Sequence, residues 1–167
     1  MNKKKPTVLF VCTGNVCRSP MAMGLLRDRL ARLGLTNAIH VTSAGTFALD
    51  GQPPTGGAQH VMEARDIDIS SHRAQTVTPD RLKQADIIIV MTEAHRGSIF
   101  HLAPEALHKV LLLSELAGEH VDIPDPYGQP REAYEATARL IEQYIDRGLE
   151  NLLERLGIRQ QRPHDGG

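Results

Sequence analysis

The chain has two cysteines, Cys12 and Cys17, and both lie in a short stretch of mostly small residues that ends in Arg18 and Ser19. Gly14 and the asparagine after it tolerate a positive φ, so this loop can curl and direct successive backbone N–H groups into one concavity. A helix that begins after the loop adds the positive end of its dipole, and the planar guanidinium of Arg18 can hold two oxygens of a tetrahedral oxyanion. The pattern therefore predicts an anion site directly above the Cys12 sulfur. The residues expected around the anion are Thr13, Gly14, Asn15, Val16, Cys17, Arg18 and Ser19.

The charge around Cys12 indicates which chemistry this site supports. Backbone N–H groups, a helix N-terminus and a guanidinium all favour the thiolate, which is the nucleophilic form of cysteine. Ser19 is placed to donate a hydrogen bond to that thiolate. We therefore expect in-line attack of the Cys12 sulfur on phosphorus, giving a phosphocysteine, with Arg18 and the loop stabilising the equatorial oxygens of the transition state. The loop lacks the GxxxxGK[ST] pattern, so binding of a nucleoside triphosphate is not expected.

Hydrophobic periodicity predicts the elements that position this loop. An apolar run at 7–12 is typical of a buried strand, and the spacing of apolar residues indicates a helix over 20–33. Ser19 followed by Pro20 fits the N-cap and first position of that helix. Further strands are expected at 39–44, 86–91 and 109–113, further helices at about 54–65, 93–102 and 132–156, and loops at 50–57 and 120–130. In the last helix, Tyr134 and Tyr144 are interpreted as packing residues.

Strands that alternate with helices and are continuously apolar predict an α/β fold. We expect a single domain with a twisted parallel sheet of about four strands, helices on both faces and a phosphate-binding loop after the first strand. Ligands in such sheets bind beyond the carboxyl ends of the strands, which is where Cys12 lies. The domain is expected over residues 1–158, followed by a flexible polar tail at 159–167.

The composition excludes several classes of protein. Hydrophobic residues make up 41% of the 167, and the net charge of −1 gives no strong field for nucleic acid. No stretch approaches the ~18 apolar residues that span a bilayer, and the apolar run after the basic N-terminus is too short for a signal peptide. Two cysteines are too few for a disulfide framework. A soluble, cytoplasmic protein with no nucleic-acid or membrane partner is therefore expected.

Four segments of the chain resemble the low-molecular-weight protein tyrosine phosphatases. VCTGNVCRSPMA at 11–22 resembles the family's active-site loop, TSAGT at 42–46 its second-strand turn, SHRA at 71–74 its GHRA segment, and DPYG at 125–128 its DP[YF] acid loop. Other phosphatases share CxxxxxR, so the four segments together, in this order, carry the resemblance over roughly residues 7–155. It implies hydrolysis of phosphotyrosine in proteins, with no metal or organic cofactor.

The resemblance also implies the acid and the walls of the substrate cleft. Asp125 is implied as the acid that protonates the leaving oxygen and later as the base for water. Asp122 lies three residues earlier and is the alternative, which the Asp-Pro-Tyr context disfavours. Tyr127 is implied as one wall of the cleft. The opposite wall is often aromatic in the family, and because this chain has no tryptophan, Phe47 or Leu49 must serve there.

A buried polar network beneath the loop is implied by the same resemblance. Asn15, Ser43 and His72 resemble the residues that hold the loop asparagine in its unusual backbone conformation and orient Ser19. Taken alone, a histidine such as His72 is more often a surface residue. One departure is Met23, which stands where the family often has glutamate.

Cys17 has two interpretations. It packs beneath the loop, or, as the resemblance implies, it forms a disulfide with Cys12 when the protein is oxidised, which guards Cys12 from over-oxidation. A metal site is not expected, because none of the eight histidines forms an HxxxH or CxxC-type cluster.

Several functions compete on this scaffold. Relatives that act on phosphoarginine have threonine at the position of Val16, whereas Val16 is closer to the isoleucine of tyrosine-specific members, so phosphotyrosine is favoured and phosphoarginine is the alternative. Arsenate reduction needs further cysteines that this chain lacks, and a non-catalytic phosphopeptide-binding module should lack a nucleophile or an acid. The expected partner is a phosphotyrosine protein, a tyrosine kinase of polysaccharide export being one candidate, and the oligomeric state stays open.

Overall fold

The computed structural model describes residues 5–159, so residues 160–167 of the expected tail lie outside the described range. Strands and helices alternate through most of the chain. Short 3₁₀ segments at Pro104–Lys109 and Leu113–Ala117 flank the last strand. The strands are β1 (Thr7–Cys12), β2 (His40–Gly45), β3 (Ile87–Val90) and β4 (Val110–Leu112), and the α-helices are α1 (Arg18–Arg32), α2 (Gly56–Glu63), α3 (Pro79–Gln84), α4 (Glu93–Leu102) and α5 (Arg131–Arg155).

The four strands form one parallel sheet in the order β2-β1-β3-β4. This confirms the predicted α/β fold with about four parallel strands. Cys12, the last residue of the central strand β1, pairs with Gly45 at the end of β2. The loops that follow β1, β2 and β3 therefore meet at one edge of the sheet, where ligands bind in such folds.

Side chains of β1 alternate between two cores, as the pleat of a strand requires. Val8, Phe10 and Cys12 belong to the core that contains buried residues of α1, α2 and α5, whereas Leu9 and Val11 belong to the core with α3 and α4. The sheet thus has helices on both faces, and the Cys12 side chain lies on the face covered by α1 and α5. No helix within residues 5–159 combines the length and apolar character that crossing a bilayer requires.

The start of α1 differs from the prediction. The helix begins at Arg18, and its N-cap is Cys17, which makes no side-chain capping hydrogen bond. The expectation that Ser19 caps the helix and Pro20 opens it is wrong, because both residues lie inside the first turn. Proline is tolerated there, since the first N–H groups of a helix have no intrahelical partner. The Ser19 hydroxyl is used elsewhere in the site.

Ion pairs fix α1 and the segment after α2 to the long helix α5. Arg29 of α1 donates to Glu142 and Asp146, at 2.7 Å in each case. Arg65, just after α2, donates to Glu135 at 2.9 Å. Both arginines are mostly buried and both pair with Glu142, so the pairs form one network that sets the orientation of the helices beneath the site.

Candidate active site

Carbonyl groups of the β1–α1 loop (residues 13–17) are hydrogen-bonded to the segment that follows β2. The oxygens of Cys12, Thr13 and Val16 accept hydrogen bonds from the N–H groups of Thr46, Phe47 and Thr55, each at 2.9 Å. Within residues 5–159, none of the N–H groups of the loop donates to another residue. Since the carbonyls are held by the segment after β2, these N–H groups are left for a ligand, which is the arrangement of an anion-binding nest.

The Cys12 sulfur lies next to an oriented hydroxyl. The thiol is almost fully buried at the end of β1, and its Sγ is 2.9 Å from Ser19 Oγ. The Asn15 amide donates to the same Ser19 oxygen at 2.8 Å. Because that oxygen already accepts the amide N–H, the Ser19 hydroxyl hydrogen is available to donate to the sulfur.

Asn15 adopts the left-handed conformation that the loop was predicted to need, with φ of 58°. Its side chain is buried and donates to Ser43 Oγ at 2.9 Å as well as to Ser19. Its Oδ1 accepts from the N–H of Gln75 at 3.0 Å, and its backbone oxygen lies 2.8 Å from Nε2 of His72. Hydrogen bonds on both ends of the amide thus hold a backbone conformation that is costly for a non-glycine residue.

His72 supports this network as a neutral ring. Its burial lowers the pKa of the imidazole, and the nearby guanidinium groups of Arg27 and Arg73 act in the same direction. A neutral ring bonded to the Asn15 carbonyl must carry its hydrogen on Nε2 and donate it. Gln75, whose side chain also donates to the Ser43 carbonyl at 2.9 Å, is a network member that the sequence analysis missed.

Met23, which stands where the family often has glutamate, contacts this network. The Ser43 hydroxyl lies 3.6 Å from its sulfur, which is a weak acceptor. The departure therefore removes a charge beneath the loop and leaves the hydrogen bonds of Asn15 in place.

Arg18 is buried and held at three points. One terminal nitrogen donates to the carbonyl of Ile123 at 2.9 Å, and the other lies 3.4 Å from Thr13 Oγ1 and 3.5 Å from Asp125 Oδ2. Its Nε–H is also buried and has no hydrogen-bond partner within residues 5–159. A buried donor without a partner is unfavourable, so an anion oxygen beside Arg18 would complete the site.

Two carboxylates of one loop have different surroundings. Asp125 lines the cavity above Cys12, its side chain is 49% exposed, and its Oδ1 accepts from the N–H of Tyr127 at 3.0 Å. Asp122 instead accepts from the N–H of Glu93 at 3.0 Å, at the N-terminus of α4. The geometry therefore favours Asp125 over Asp122 as the carboxylate nearest to a bound phosphate.

A cavity of about 390 Å³ opens above the β1–α1 loop. Its floor contains Cys12 and Arg18, and most of its wall is uncharged. Phe47 is 81% exposed, so it is not a core residue, and both Phe47 and Leu49, the two candidates for the wall opposite Tyr127, line the cavity. The lining residues are Cys12, Thr13, Gly14, Val16, Cys17, Arg18, Phe47, Leu49, Gln52, Asp125 and Tyr127.

Cys17 is a free, buried thiol between two hydroxyl groups. Its sulfur lies 3.4 Å from Thr55 Oγ1 and 3.5 Å from the Tyr134 hydroxyl, and burial raises the pKa of the Cys17 thiol. Tyr134 is buried as a packing residue, against Gly57, where a Cβ would lie 2.6 Å from its ring. Its contact with Cys17 adds a link between α5 and the β1–α1 loop that the sequence analysis did not include.

His95 is a second residue that the sequence analysis missed. It is buried at the start of α4, and its Nε2 lies 2.8 Å from Thr13 Oγ1. In the sequence it has only the appearance of a helix residue three positions after the cap Thr92. Nothing in the local pattern connects it with a loop 82 residues away.

The chain matches the family model for low molecular weight phosphotyrosine protein phosphatase over residues 7–161. It belongs to this family. It is 41% identical over 140 residues to a probable low molecular weight protein-tyrosine-phosphatase EpsP of Ralstonia nicotianae, covering 84% of this chain and 91% of the relative. It is also 36% identical over 146 residues to a protein-arginine-phosphatase of Geobacillus stearothermophilus, covering 87% and 95%.

Solved structures agree with the sequence matches. The low molecular weight protein tyrosine phosphatase from T. tengcongensis is 39% identical, with a TM-score of 0.83 over 87% of this chain and 99% of that one. The YwlE arginine phosphatase from Geobacillus stearothermophilus is 33% identical, with a TM-score of 0.82 over 94% and 99%. The resemblance found in the sequence is thus confirmed. This protein is a hydrolase whose substrates are phosphorylated proteins.

Proposed function

We propose that this phosphatase hydrolyses phosphotyrosine in proteins through a phosphocysteine on Cys12. One observation carries the proposal: within residues 5–159, the N–H groups of the β1–α1 loop and the Nε–H of Arg18 have no protein partners, and the loop and Arg18 line the same cavity as Cys12. A phosphate dianion is the ligand that satisfies such a set of donors and lies in line with a nucleophile.

In the first step, the Cys12 thiolate attacks phosphorus and the bond from phosphorus to the tyrosine oxygen breaks. Arg18 and the loop N–H groups hold the three equatorial oxygens, and protonated Asp125 donates its proton to the leaving oxygen. The exposure of Asp125 on the cavity wall suits this role, because the leaving group faces the open side of the cleft.

In the second step, a water molecule attacks the phosphocysteine and gives up a proton to the Asp125 carboxylate. The sulfur leaves as a thiolate, which accepts the hydrogen bond of the Ser19 hydroxyl, and inorganic phosphate is released. The contact of 2.9 Å between Ser19 Oγ and Cys12 Sγ supports this role of the hydroxyl in the free protein.

The cleft favours a neutral, flat leaving group. Val16, Phe47, Leu49 and Tyr127 supply apolar surface to its wall, and Asp125 is the one carboxylate among the described residues that line it. A phenyl ring gains from burial against such side chains. The charged guanidine of phosphoarginine would gain more from further carboxylates.

Phosphoarginine is the second candidate, because a protein-arginine-phosphatase is 36% identical to this chain. Val16 is the residue whose replacement discriminates between them. It lies on the cleft beside the attack site and has no hydroxyl with which to position a water molecule.

Parallel kinetics on matched phosphotyrosine and phosphoarginine peptides test the assignment. We expect the native protein to have the larger kcat/KM on phosphotyrosine, and Val16→Thr to shift the ratio towards phosphoarginine. Val16→Ile is the matched control, since it changes the side chain without adding a hydroxyl. A larger kcat/KM of the native protein on phosphoarginine would replace the proposal with the second candidate.

The same site supports a redox role for Cys17. A peroxide converts the Cys12 thiolate to a sulfenic acid, and the Cys17 thiol then attacks that sulfur, forming a disulfide with loss of water. Both thiols are free and line the same cavity. Peroxide inactivation that dithiothreitol reverses in the native protein should become irreversible in Cys17→Ala. Equal recovery of both proteins would remove the redox role and leave Cys17 as a packing residue.

For the partner, we favour an autophosphorylated tyrosine kinase whose phosphotyrosine lies on an extended segment. The support is the open cleft with its exposed Phe47 and Tyr127, which a side chain on such a segment can enter. A cytoplasmic location suits this chemistry, because the nucleophilic thiol must stay reduced. Dephosphorylation of the purified kinase is the test, and a kinase that keeps its phosphate under conditions where an aryl phosphate is hydrolysed would exclude this partner.

A further inference from the structure

Thr13 lies between the phosphate-holding arginine and a buried histidine from another element. Its Oγ1 is 2.8 Å from His95 Nε2 and 3.4 Å from the terminal nitrogen of Arg18. Both partners are almost fully buried, so the contacts are sheltered from water. Thr13 thus contacts both α4 and the Arg18 guanidinium.

The tautomer of His95 follows from its other ring nitrogen. Nδ1 lies 3.1 Å from the backbone nitrogen of Thr92, and this N–H can only donate, so Nδ1 is the acceptor. Burial, together with the Arg18 guanidinium, lowers the pKa of His95 to about 4. A neutral ring that accepts at Nδ1 carries its hydrogen at Nε2, and His95 therefore donates to Thr13 Oγ1.

Two donors then converge on one hydroxyl oxygen. His95 Nε2–H occupies one lone pair of Thr13 Oγ1, and Arg18 donates to the other at longer range. The guanidinium is thereby held by Thr13 on one edge and by the Ile123 carbonyl on the other. Its buried Nε–H has no hydrogen-bond partner within residues 5–159.

We propose that His95 is a positioning residue for phosphate binding, which holds Thr13 in the rotamer that orients the Arg18 guanidinium towards the anion. The proposal rests on the proposed function, since it assigns the anion site to phosphate. A planar bidentate donor tolerates little misorientation, and a displacement of about 1 Å can cost as much as about 100-fold in rate. His95 acts through Thr13 and does not touch the phosphate.

The experiment is a double-mutant cycle with phosphate affinity as its readout. Thr13→Val removes the hydroxyl and keeps the shape, His95→Leu removes the donor, and His95→Gln restores an N–H near the position of Nε2. Each variant is titrated with inorganic phosphate by calorimetry, and kcat and KM for an aryl phosphate are measured beside it. Melting temperatures show whether each variant is folded.

We expect Thr13→Val and His95→Leu each to raise the Kd of phosphate and the KM by about tenfold, the loss of one buried hydrogen bond. The double variant should be no weaker than Thr13→Val alone, because both changes break the same link. His95→Gln should recover most of the affinity. A purely structural role would lower the melting temperature without changing the Kd.

Additive effects of the two changes on the Kd of phosphate would overturn the proposal. A native-like Kd in Thr13→Val would also overturn it. This variant keeps the sequence of α4, so it still gives an answer if His95→Leu does not fold. Phosphate binding is measured without turnover, so the proposed function can fail while the cycle still gives an answer. A native protein that does not bind phosphate would overturn both.

Discussion

The N-termini of α1 and α4 follow neighbouring parallel strands, β1 and β3. They differ in whether protein groups accept the hydrogen bonds of their donors. At α4, the Thr92 hydroxyl accepts the N–H of His95, the His95 ring accepts the N–H of Thr92, and Asp122 accepts the N–H of Glu93. At α1, Cys17 provides no side-chain cap, and the Arg18 Nε–H has no partner within residues 5–159.

The difference shows how one sheet edge can carry both structure and chemistry. Helix N-termini have orphan donors that some group must satisfy, and α4 satisfies its donors from its own sequence. α1 leaves its donors for an anion, and the protein stabilises the open loop from outside through Asn15 and its partners. The closed N-terminus then supports the open one through the contact of His95 with Thr13.

The largest effect is expected for the nucleophile at the N-terminus of α1, where one variant should change kcat without changing phosphate affinity. Cys12→Ser should lower kcat on an aryl phosphate by at least about 10⁴-fold, because the hydroxyl is a far weaker nucleophile than the thiolate. Phosphate affinity, measured by calorimetry, should be kept, since the donors of the loop are unchanged.

Arg18→Lys is the matched change, because it keeps the charge and loses the planar fork. It should weaken both phosphate binding and turnover. If Cys12→Ser retains activity, the nucleophile is another group, and if Arg18→Lys binds phosphate normally, the donors of α1 are not the anion site.

The next effect compares the two carboxylates that lie at the two helix N-termini. Asp125→Asn should lower kcat by about 10²–10⁴-fold for a poor leaving group and much less for a good one, because only the poor one needs a proton. Steady-state kinetics on a series of aryl phosphates gives this dependence.

Asp122→Asn is the control for Asp125→Asn at the other N-terminus. It weakens a charged interaction at the start of α4, so we expect a loss of about 1 kcal/mol in unfolding free energy with little change in the leaving-group dependence. If Asp122→Asn, and not Asp125→Asn, changed the leaving-group dependence of kcat, Asp122 would be the general acid.

A smaller effect is expected on the free energy of unfolding at low pH, through His95 at the N-terminus of α4. The pKa of His95 is lowered to about 4 by burial and by Arg18, against the opposing fields of Asp122 and Asp125, whereas the unfolded chain binds the proton near pH 6.5. Between these values the unfolded state holds more protons, so stability falls as the pH falls. This one group should make the protein about 3 kcal/mol less stable at pH 4 than at pH 7.

Urea unfolding of the native protein and of His95→Gln, at both pH values, measures this contribution. The variant should lose less stability on acidification, because glutamine does not titrate. Equal losses in the two proteins would mean that His95 takes up its proton near the same pH in the folded and the unfolded chain, and the lowered pKa would then be wrong.

The fold was predictable because its main signals are local. β3 consists of four buried isoleucine and valine residues, and α5 has a regular amphipathic pattern over 25 residues. α3 and the 3₁₀ segments have only five or six residues each, which is too short for a hydrophobic period to be recognised in the sequence. The start of α1 was misplaced because Ser19 has the composition of a cap, whereas its hydroxyl contacts Cys12 and Asn15.

The site was predictable only where its residues adjoin one another or a family motif. The order of Cys12, Arg18 and Asp125 can be recognised in the sequence. Gln75 and His95 reach the β1–α1 loop from 60 and 82 residues away, and the contacts exist only once β2 and β3 lie beside β1. Such partners have no signature of their own in a single sequence.

The left-handed Asn15 has a consequence for how fast a phosphate is captured. Its hydrogen bonds are complete without a ligand, so the loop has its working shape before any substrate arrives. Ordering of the loop is then a cost of folding and not of binding, and the encounter needs no slow rearrangement of the main chain. Association should therefore follow the frequency of collisions between cleft and phosphate.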